Sequence, residues 1–485
     1  MSSSLQSAIL PGSGEEFSSF NPATGETVWT GREATVQDVD VAVRRARQAL
    51  SGWARRSVAE RAEFLFAFRE QLRHQQEELT RIIAREVGKV MWDAATEVQA
   101  MIGKIDVSLK FLKERRSPSE IVLPGGRGST RYKPHGVMAV FGPFNFPGHI
   151  ANGQIVPALA AGNTVIFKPS EFSPGVAEAT VRLWERAGLP QGVLTLIQGG
   201  KEAGAALAQH PDINGVLFTG SLKTGIALRK MLLEQPEKIL ALELGGNNPL
   251  VIHRPKDWRG AVYWTVQSAF VTAGQRCTCA RRLIVTDGND EFLDHLPQSV
   301  RQIRVDAPDA LPSPFFGPLI SPMAVDQVLW AQQRLLDSGA QSLLTAERLP
   351  LGPAYVSPGL IDITSCHVRS DQEVFGPLLQ IVRVPDLSAA IQEANRTQYG
   401  LVSALFTKDR ADFERFYDES HAGLINWNRP TTGASGELPF GGVGRSGNHR
   451  PAGAFAVDFC NLPVATLESD SLVVPDSISP GVTVP

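Results

Sequence analysis

Between residues 136 and 242, short apolar runs alternate with helical stretches, and this rhythm constrains the fold more than any other feature of the chain. Apolar runs at 136–141, 164–167, 193–197, 215–218 and 239–242 read as strands. Between them, 151–161, 175–187, 202–209 and 224–233 read as helices of about ten residues. Strands joined through helices of that length predict right-handed crossover units and a parallel sheet. An open sheet of this class binds ligands beyond the C-terminal ends of its strands. The glycine-, asparagine- and glutamate-bearing turns of this region fall there.

Both flanks carry less explicit patterns. Val39, Val43, Ala46, Leu50 and Trp53 mark an amphipathic helix over 36–56. Leu65, Phe68, Leu72, Leu79, Ile82 and Ile83 mark another over 57–89. Residues 117–133 are rich in Gly, Pro and Arg and read as an exposed ribbon. A second α/β region runs from about 246 to 444. The stretch 455–465 reads as a strand, and 470–485 lacks a core pattern and is expected to be disordered.

Size and composition narrow the class. With 485 residues, the chain has room for about three domains or two large ones. Hydrophobic residues at 43% and charged residues at 20% suit a globular enzyme. The net charge of −3 speaks against a nucleic-acid partner, which calls for a basic face. The first residues show neither a basic stretch nor an apolar core, so no signal peptide is expected. No run of about 18 apolar residues occurs, so no membrane span is expected. Four cysteines in so long a chain fit a reducing, cytoplasmic setting. Cys277 and Cys279 form C-x-C without a second cluster of ligands, so no metal is expected.

The chemistry concentrates in a few motifs. Cys277 lies in GQRCTCARR (274–282), about thirty residues after Glu243 in LELGGNN (242–248). A thiolate can add to an aldehyde carbon, and the resulting thiohemiacetal can lose hydride to a nicotinamide. A free thiol titrates near 8.5, so activation is required, and adjacent Arg276 is the candidate electrostatic aid. Taken alone, Cys277 is equally a small buried side chain. Hydride loss leaves a thioester, whose hydrolysis needs a base, and Glu243 at the end of the apolar run ILALE is the candidate. Asn145 in GPFNFPGH (142–149) can donate to the developing oxyanion beside the Cys277 backbone N–H, although Asn is also a common turn residue. Gly220, Ser221 and Gly225 in FTGSLKTG (218–225) form a loose phosphate cradle ahead of a helix. Lys168 and Glu171 in KPSE follow a strand and suit ribose hydroxyls. Glu171 would repel a 2′-phosphate and so favour NAD over NADP. Glu373, with Phe375 nearby in EVFGP (373–377), suits the nicotinamide ribose.

FNFP, FKPSE, FTGS, ELGG, GQRC, EVFGP and PFGGVGRSG (439–447), in this order, resemble the aldehyde dehydrogenase superfamily. The resemblance spans nearly the whole chain. It implies a Rossmann-like NAD-binding domain at 1–116 and 134–245 and an α/β catalytic domain at 246–444. A small β oligomerisation element would comprise 117–133 and 445–470, with a C-terminal tail at 471–485. It implies Cys277 as nucleophile, Glu243 as base and Asn145 as oxyanion donor. Lys168, Glu171, Gly220, Ser221, Glu373 and Phe375 become cofactor contacts, and a homodimer or dimer of dimers becomes the expected assembly. The longer segments 144–159, 269–283 and 426–451 are similar to family members that oxidise N-succinylglutamate semialdehyde in bacterial arginine degradation. Such a substrate carries two carboxylates, for which Arg276, Arg429, Thr432 and Ser435 are candidate partners. Two alternatives stay open: another acidic semialdehyde, of glutamate or succinate, or a non-catalytic scaffold of the same fold.

Overall fold

The computed structural model describes residues 7–124, 126–366, 369–474 and 477–484. An antiparallel pair, β1 (Glu16–Phe20) and β2 (Thr27–Arg32), precedes four helices: α1 (Val36–Ala54), α2 (Val58–His74), α3 (Gln76–Val87) and α4 (Met91–Arg116). Capping boxes start α1 and α2, Thr35 with Asp38 and Ser57 with Glu60. The single helix expected over 57–89 is therefore two. Gln75 leaves helical geometry at φ −107°, ψ 16°, while the buried stripe of Leu72, Leu79 and Ile83 stays in phase across the break. Periodicity cannot mark a break that preserves phase. Helix α4, 26 residues long, was not expected at all. Its buried face mixes Ala94, Val98, Met101 and Ile105 with Asp93, Glu97 and Lys104, so the apolar stripe is interrupted by charge.

The ribbon at 117–133 is a hairpin of β3 (Ser119–Leu123) and β4 (Gly126–Pro134). Then the alternation follows as read: β5 (Val137–Phe141), α5 (His149–Ala160), β6 (Thr164–Lys168), α6 (Pro174–Arg186), β7 (Leu194–Leu196), α7 (Lys201–Gln209), β8 (Gly215–Thr219), α8 (Leu222–Met231) and β9 (Ile239–Glu243). These strands pair in parallel in the order β7-β6-β5-β8-β9. The chain runs outward from β5 in one direction and then returns to its other side. The direction reverses between β5 and β8, and the crevice opens where the loops after those two strands diverge.

A second sheet begins with β10 (Asn248–Ile252), α9 (Trp258–Phe270) and β11 (Ala280–Thr286), followed by α10 (Asp290–Arg301), α11 (Pro322–Asp337), β12 (Gln341–Leu344), β13 (Gly359–Asp362), β14 (Leu378–Val384), α12 (Leu387–Ala394), β15 (Val402–Phe406), α13 (Arg410–Glu419) and β16 (Leu424–Trp427). Its seven strands run β12-β13-β14-β11-β10-β15-β16, parallel except at β12. Two short strands, β17 (Pro439–Phe440) and β18 (Ala452–Gly453), pair before β19 (Asn461–Glu468) joins β4 along its whole length. The last strand thus lies at 461–468, not 455–465. Residues 455–460 instead turn, with Arg115 paired to Asp458 and Asn163 donating to the Cys460 carbonyl. In the tail, 471–474 and 477–484 carry neither helix nor strand; 475, 476 and 485 fall outside the described residues.

Candidate active site

The C-terminal edge of the five-stranded sheet faces the N-terminal edge of the seven-stranded one. Glu243 ends β9, whereas Cys277 lies just ahead of β11 and Glu373 ahead of β14. Only part of the site therefore follows the rule that ligands meet strand C-termini. The second sheet contributes the opposite ends of its strands.

Glu243 is 3% exposed and sits on a loop pinned from behind. Ser446 Oγ donates to the Gly245 carbonyl (2.7 Å) and accepts from the Gly400 N–H (3.0 Å). The Leu244 N–H donates to the Ser446 carbonyl (3.0 Å). Gly447 has φ +131°, and a Cβ there would stand 2.2 Å from the Leu242 carbonyl oxygen, so this position requires glycine. The PFGGVGRSG motif thereby acts as a brace for the glutamate loop.

The Cys277 loop is held under backbone strain. Thr272 and Ala273 are left-handed at φ 56° and 54°, a conformation that costs a non-glycine residue about 1–2 kcal/mol. Buried Asp93 accepts from Thr272 Oγ1 (2.5 Å) and pairs with Arg276 (2.7 Å). Fully buried Arg281 donates to the carbonyls of Gly274 (2.6 Å) and Arg276 (2.9 Å). Asn248 Nδ2 donates to the carbonyls of Cys277 (2.7 Å) and Cys279 (2.9 Å). Asn145 Nδ2 donates to the Gln275 carbonyl (2.9 Å), which brings the turn after β5 against the same loop. With the backbone fixed, the Cys277 thiol is held close enough to the Glu243 carboxyl for each to shift the other's titration.

The electrostatics of this pair are carboxylate-dominated. Burial, and then the Glu373 carboxylate, push the Glu243 carboxyl up to about 8, partly offset by the Cys277 S–H. Burial, and then Glu243 and Glu373, hold the Cys277 thiol well above its usual range. Arg276 is not the electrostatic aid expected at this thiol, because its guanidinium is spent on Asp93. Burial also raises Glu373, against the pull of Arg281, 3.7 Å away, and the Gly246 N–H. Oε1 of Glu243 and Oε1 of Glu373 are both buried without an N–H or O–H donor among the described residues. Of the two, Glu373 Oε1 still has the Arg281 guanidinium 3.7 Å away.

The crevice of the first sheet leads to this point. Lys168 Nζ donates to the carbonyls of Pro169 (2.7 Å) and Gly199 (2.5 Å), leaving one N–H unspent. Burial lowers Lys168 to about 8 against the pull of Glu171 and Glu33. Glu171 is exposed on the loop beyond it. Gly220 donates its N–H to the Glu243 carbonyl (3.0 Å), and Ser221 caps α8 by accepting from the Thr224 N–H (3.2 Å). Gly225 faces the Leu244 side chain, where a Cβ would stand 2.6 Å away, so it packs the helix against the glutamate loop rather than lining the crevice. Phe375 meets Phe144 edge-on at 5.9 Å.

The substrate candidates separate. Arg276 is committed to Asp93, the structural pairing that competed with a substrate role. Arg429 and Ser435 are exposed; Ser435 Oγ accepts from the Glu437 N–H (3.2 Å), and Thr432 Oγ1 donates to the Gln267 carbonyl (3.4 Å). Gly436 lies against Val107, and Glu437 pairs with Lys110, so this loop crosses α4. Sequence reasoning did not single out Asn248, Ser446, Arg281 or Asp93. The first three stand inside motifs already noticed and were passed over as scaffolding. Asp93 lies on the helix whose pattern was missed.

This geometry defines a thiol–carboxylate pair at the mouth of a dinucleotide-type crevice, and the chain belongs to the aldehyde dehydrogenase family, whose model matches residues 9–462. It is an oxidoreductase of that family. The chain is 51% identical over 475 residues to the N-succinylglutamate 5-semialdehyde dehydrogenase of Chromobacterium violaceum, covering 98% of each. To the enzyme of the same name from Pseudomonas fluorescens it is 50% identical, covering 98% of this chain and 97% of that one. Among solved structures, betaine aldehyde dehydrogenase of Staphylococcus aureus in complex with NAD+ superposes with a TM-score of 0.89 at 25% identity, covering 96% of this chain and 94% of that one.

Proposed function

We propose that the chain oxidises N-succinyl-L-glutamate 5-semialdehyde to N-succinyl-L-glutamate with NAD, in the cytoplasmic degradation of arginine. Half-identity to two such enzymes over nearly the full length supports the substrate. The juxtaposition of the Cys277 thiol and the buried Glu243 carboxyl carries the chemistry.

NAD fits the crevice residues. Lys168 has a spare donor for ribose hydroxyls, Glu171 stands free for the adenosine ribose, and α8 presents a capped N-terminus after Gly220. Glu373, whose Oε1 accepts no hydrogen bond and has Arg281 3.7 Å away, would hold the nicotinamide ribose beside Phe375. When bound, NAD supplies the acceptor for the hydride. On the protein side, Cys277 gives its proton to solvent, and its sulfur adds to the aldehyde carbon. Asn145 Nδ2 and the Cys277 backbone N–H donate to the oxygen as it gains charge. Hydride departure leaves a thioester on Cys277. Glu243, ionised, takes a proton from the water that attacks the thioester, and Cys277 departs as thiolate. A base held near 8 works only when ionised. The expected result is a kcat that rises as pH increases through about 8 and then levels. A Glu243→Gln variant should lose that limb in a pH–rate profile.

We assign dinucleotide binding to 1–116 and 134–245, catalysis to 246–444, and assembly to 117–133 with 445–470. Unpaired edge strand β3 and exposed Ile121, Val122 and Leu467 support a homodimer or dimer of dimers through that last element.

The testing experiment is an NADH-forming assay with N-succinylglutamate semialdehyde beside glutamate and succinate semialdehydes and a neutral aldehyde of similar length. The expected result is a kcat/KM for the first at least about tenfold above the others. A higher value for another acidic semialdehyde would replace the substrate assignment.

A further inference from the structure

One buried cation on α4 has no carboxylate partner among the described residues. Lys104 on α4 is 5% exposed, and its Nζ makes a single hydrogen bond, to the Gly453 carbonyl at 3.2 Å. No carboxylate lies within ion-pair distance of it among the described residues. Neighbouring cations are all satisfied. Lys89 pairs with Glu97 (2.5 Å), and Arg276 pairs with Asp93 (2.7 Å). Glu97 also accepts from the N–H groups of Gly148 (2.9 Å) and His149 (3.0 Å). Lys89, Lys104 and Arg276 against Asp93 and Glu97 leave this cluster with one positive charge. Burying an unpaired ammonium costs several kcal/mol, so an anion completes such a site.

The cluster adjoins the Cys277 loop through Phe146 and Arg276. Phe146, next to Asn145, carries Lys89 over its face at 3.3 Å and Arg276 at 4.9 Å, with the His149 ring 6.4 Å away. Arg276 immediately precedes Cys277. Gly153 on α5 leaves room, since a Cβ there would stand 3.9 Å from Lys104 Cε. One helical turn beyond Lys104, Val107 packs against Gly436 of the loop that crosses α4. Nδ1 of His149 is buried with no hydrogen-bond partner. Burial, and then the charges of Lys104, Lys89 and Arg276, hold His149 down at about 3, so its ring stays neutral and can donate without adding charge.

We propose that Lys104 pairs with a carboxylate of the acidic semialdehyde, with His149 Nδ1 as a neutral second partner. This assignment of specificity rests on the function proposed above. Two N–H donors of Lys104 remain unspent, enough for both oxygens of one carboxylate. A neutral aldehyde would leave the ammonium as it stands, so discrimination comes from the charge of Lys104 itself.

Lys104→Met tests it, in the full-length enzyme with saturating NAD. Removing an uncompensated buried charge is expected to leave the melting temperature equal or higher. KM for N-succinylglutamate semialdehyde should rise about ten- to a hundredfold, with kcat and the kcat/KM for a neutral aldehyde little changed. Lys104→Arg should recover part of the loss on the acidic substrate alone. Equal losses on acidic and neutral aldehydes, or an unchanged KM, would overturn the assignment. Should the methionine variant not fold, Lys104→Gln carries the same expectation. The wild type is run on glutamate and succinate semialdehydes as well. If it prefers one of these, the substrate reading fails, while Lys104 stands provided that this acidic substrate alone suffers in the variant.

Discussion

Glu243→Gln is expected to form one equivalent of NADH per site quickly and then stall. The amide cannot take a proton from water, so the thioester on Cys277 waits for slow uncatalysed hydrolysis. Positioned bases contribute about a hundred- to ten-thousandfold, and steady-state kcat should fall within that range. The burst should persist because hydride transfer precedes the step that needs the base. Its rate reports whether Glu243, beside the thiol, also helps to deprotonate it. A slow burst would mean that the carboxylate also draws the proton from Cys277. The fold should survive. Glu243 is buried with Oε1 unpaired and its carboxyl pushed up to about 8, so a neutral amide relieves a strained charge rather than breaking an ion pair. Stopped-flow absorbance of NADH reads both phases.

Cys277→Ala is expected to remove the burst as well as turnover, with kcat down by about ten-thousandfold or more. No other side chain at the site offers a nucleophile. Cys279 is fully buried, and its thiol is directed at the Val271 carbonyl. NAD affinity should stay unchanged, since Lys168, Glu171, Gly220 and Ser221 all lie on the other sheet. Calorimetric titration with NAD separates lost chemistry from lost folding. The contrast between the two variants is itself informative. One should stall after hydride transfer and the other before it.

What was legible in the sequence follows from what a pattern can encode. The parallel sheet was legible because each of its strands is apolar on both faces, and Val137–Phe141 and Gly215–Thr219 are buried throughout. Cys277, Glu243 and Asn145 were legible because glycines and prolines mark the turns that carry them. The break at Gln75 was not, because no Gly or Pro announces it and the stripe runs through it. Helix α4 was not, because Asp93, Glu97 and Lys104 occupy positions where a stripe would be apolar. Asp93 holds the nucleophile loop, Glu97 binds Lys89 and the turn after β5, and Lys104 is the ammonium without an ion pair. The pairing of Arg276 with Asp93 was not legible, since its partner is 183 residues away in sequence. The final strand slipped by several residues because 455–460 are apolar enough to resemble strand but are used to bury Phe459 and Cys460 in a turn.

The central claim is that sulfur on Cys277 carries the substrate until Glu243 delivers water to it. Intact-protein mass spectrometry of Glu243→Gln, quenched in acid after mixing with NAD and semialdehyde, tests it most directly. The account predicts one added acyl group per chain, mapped by peptide digestion to Cys277 and formed in step with the NADH burst. Unmodified protein alongside turnover at the wild-type rate would contradict it.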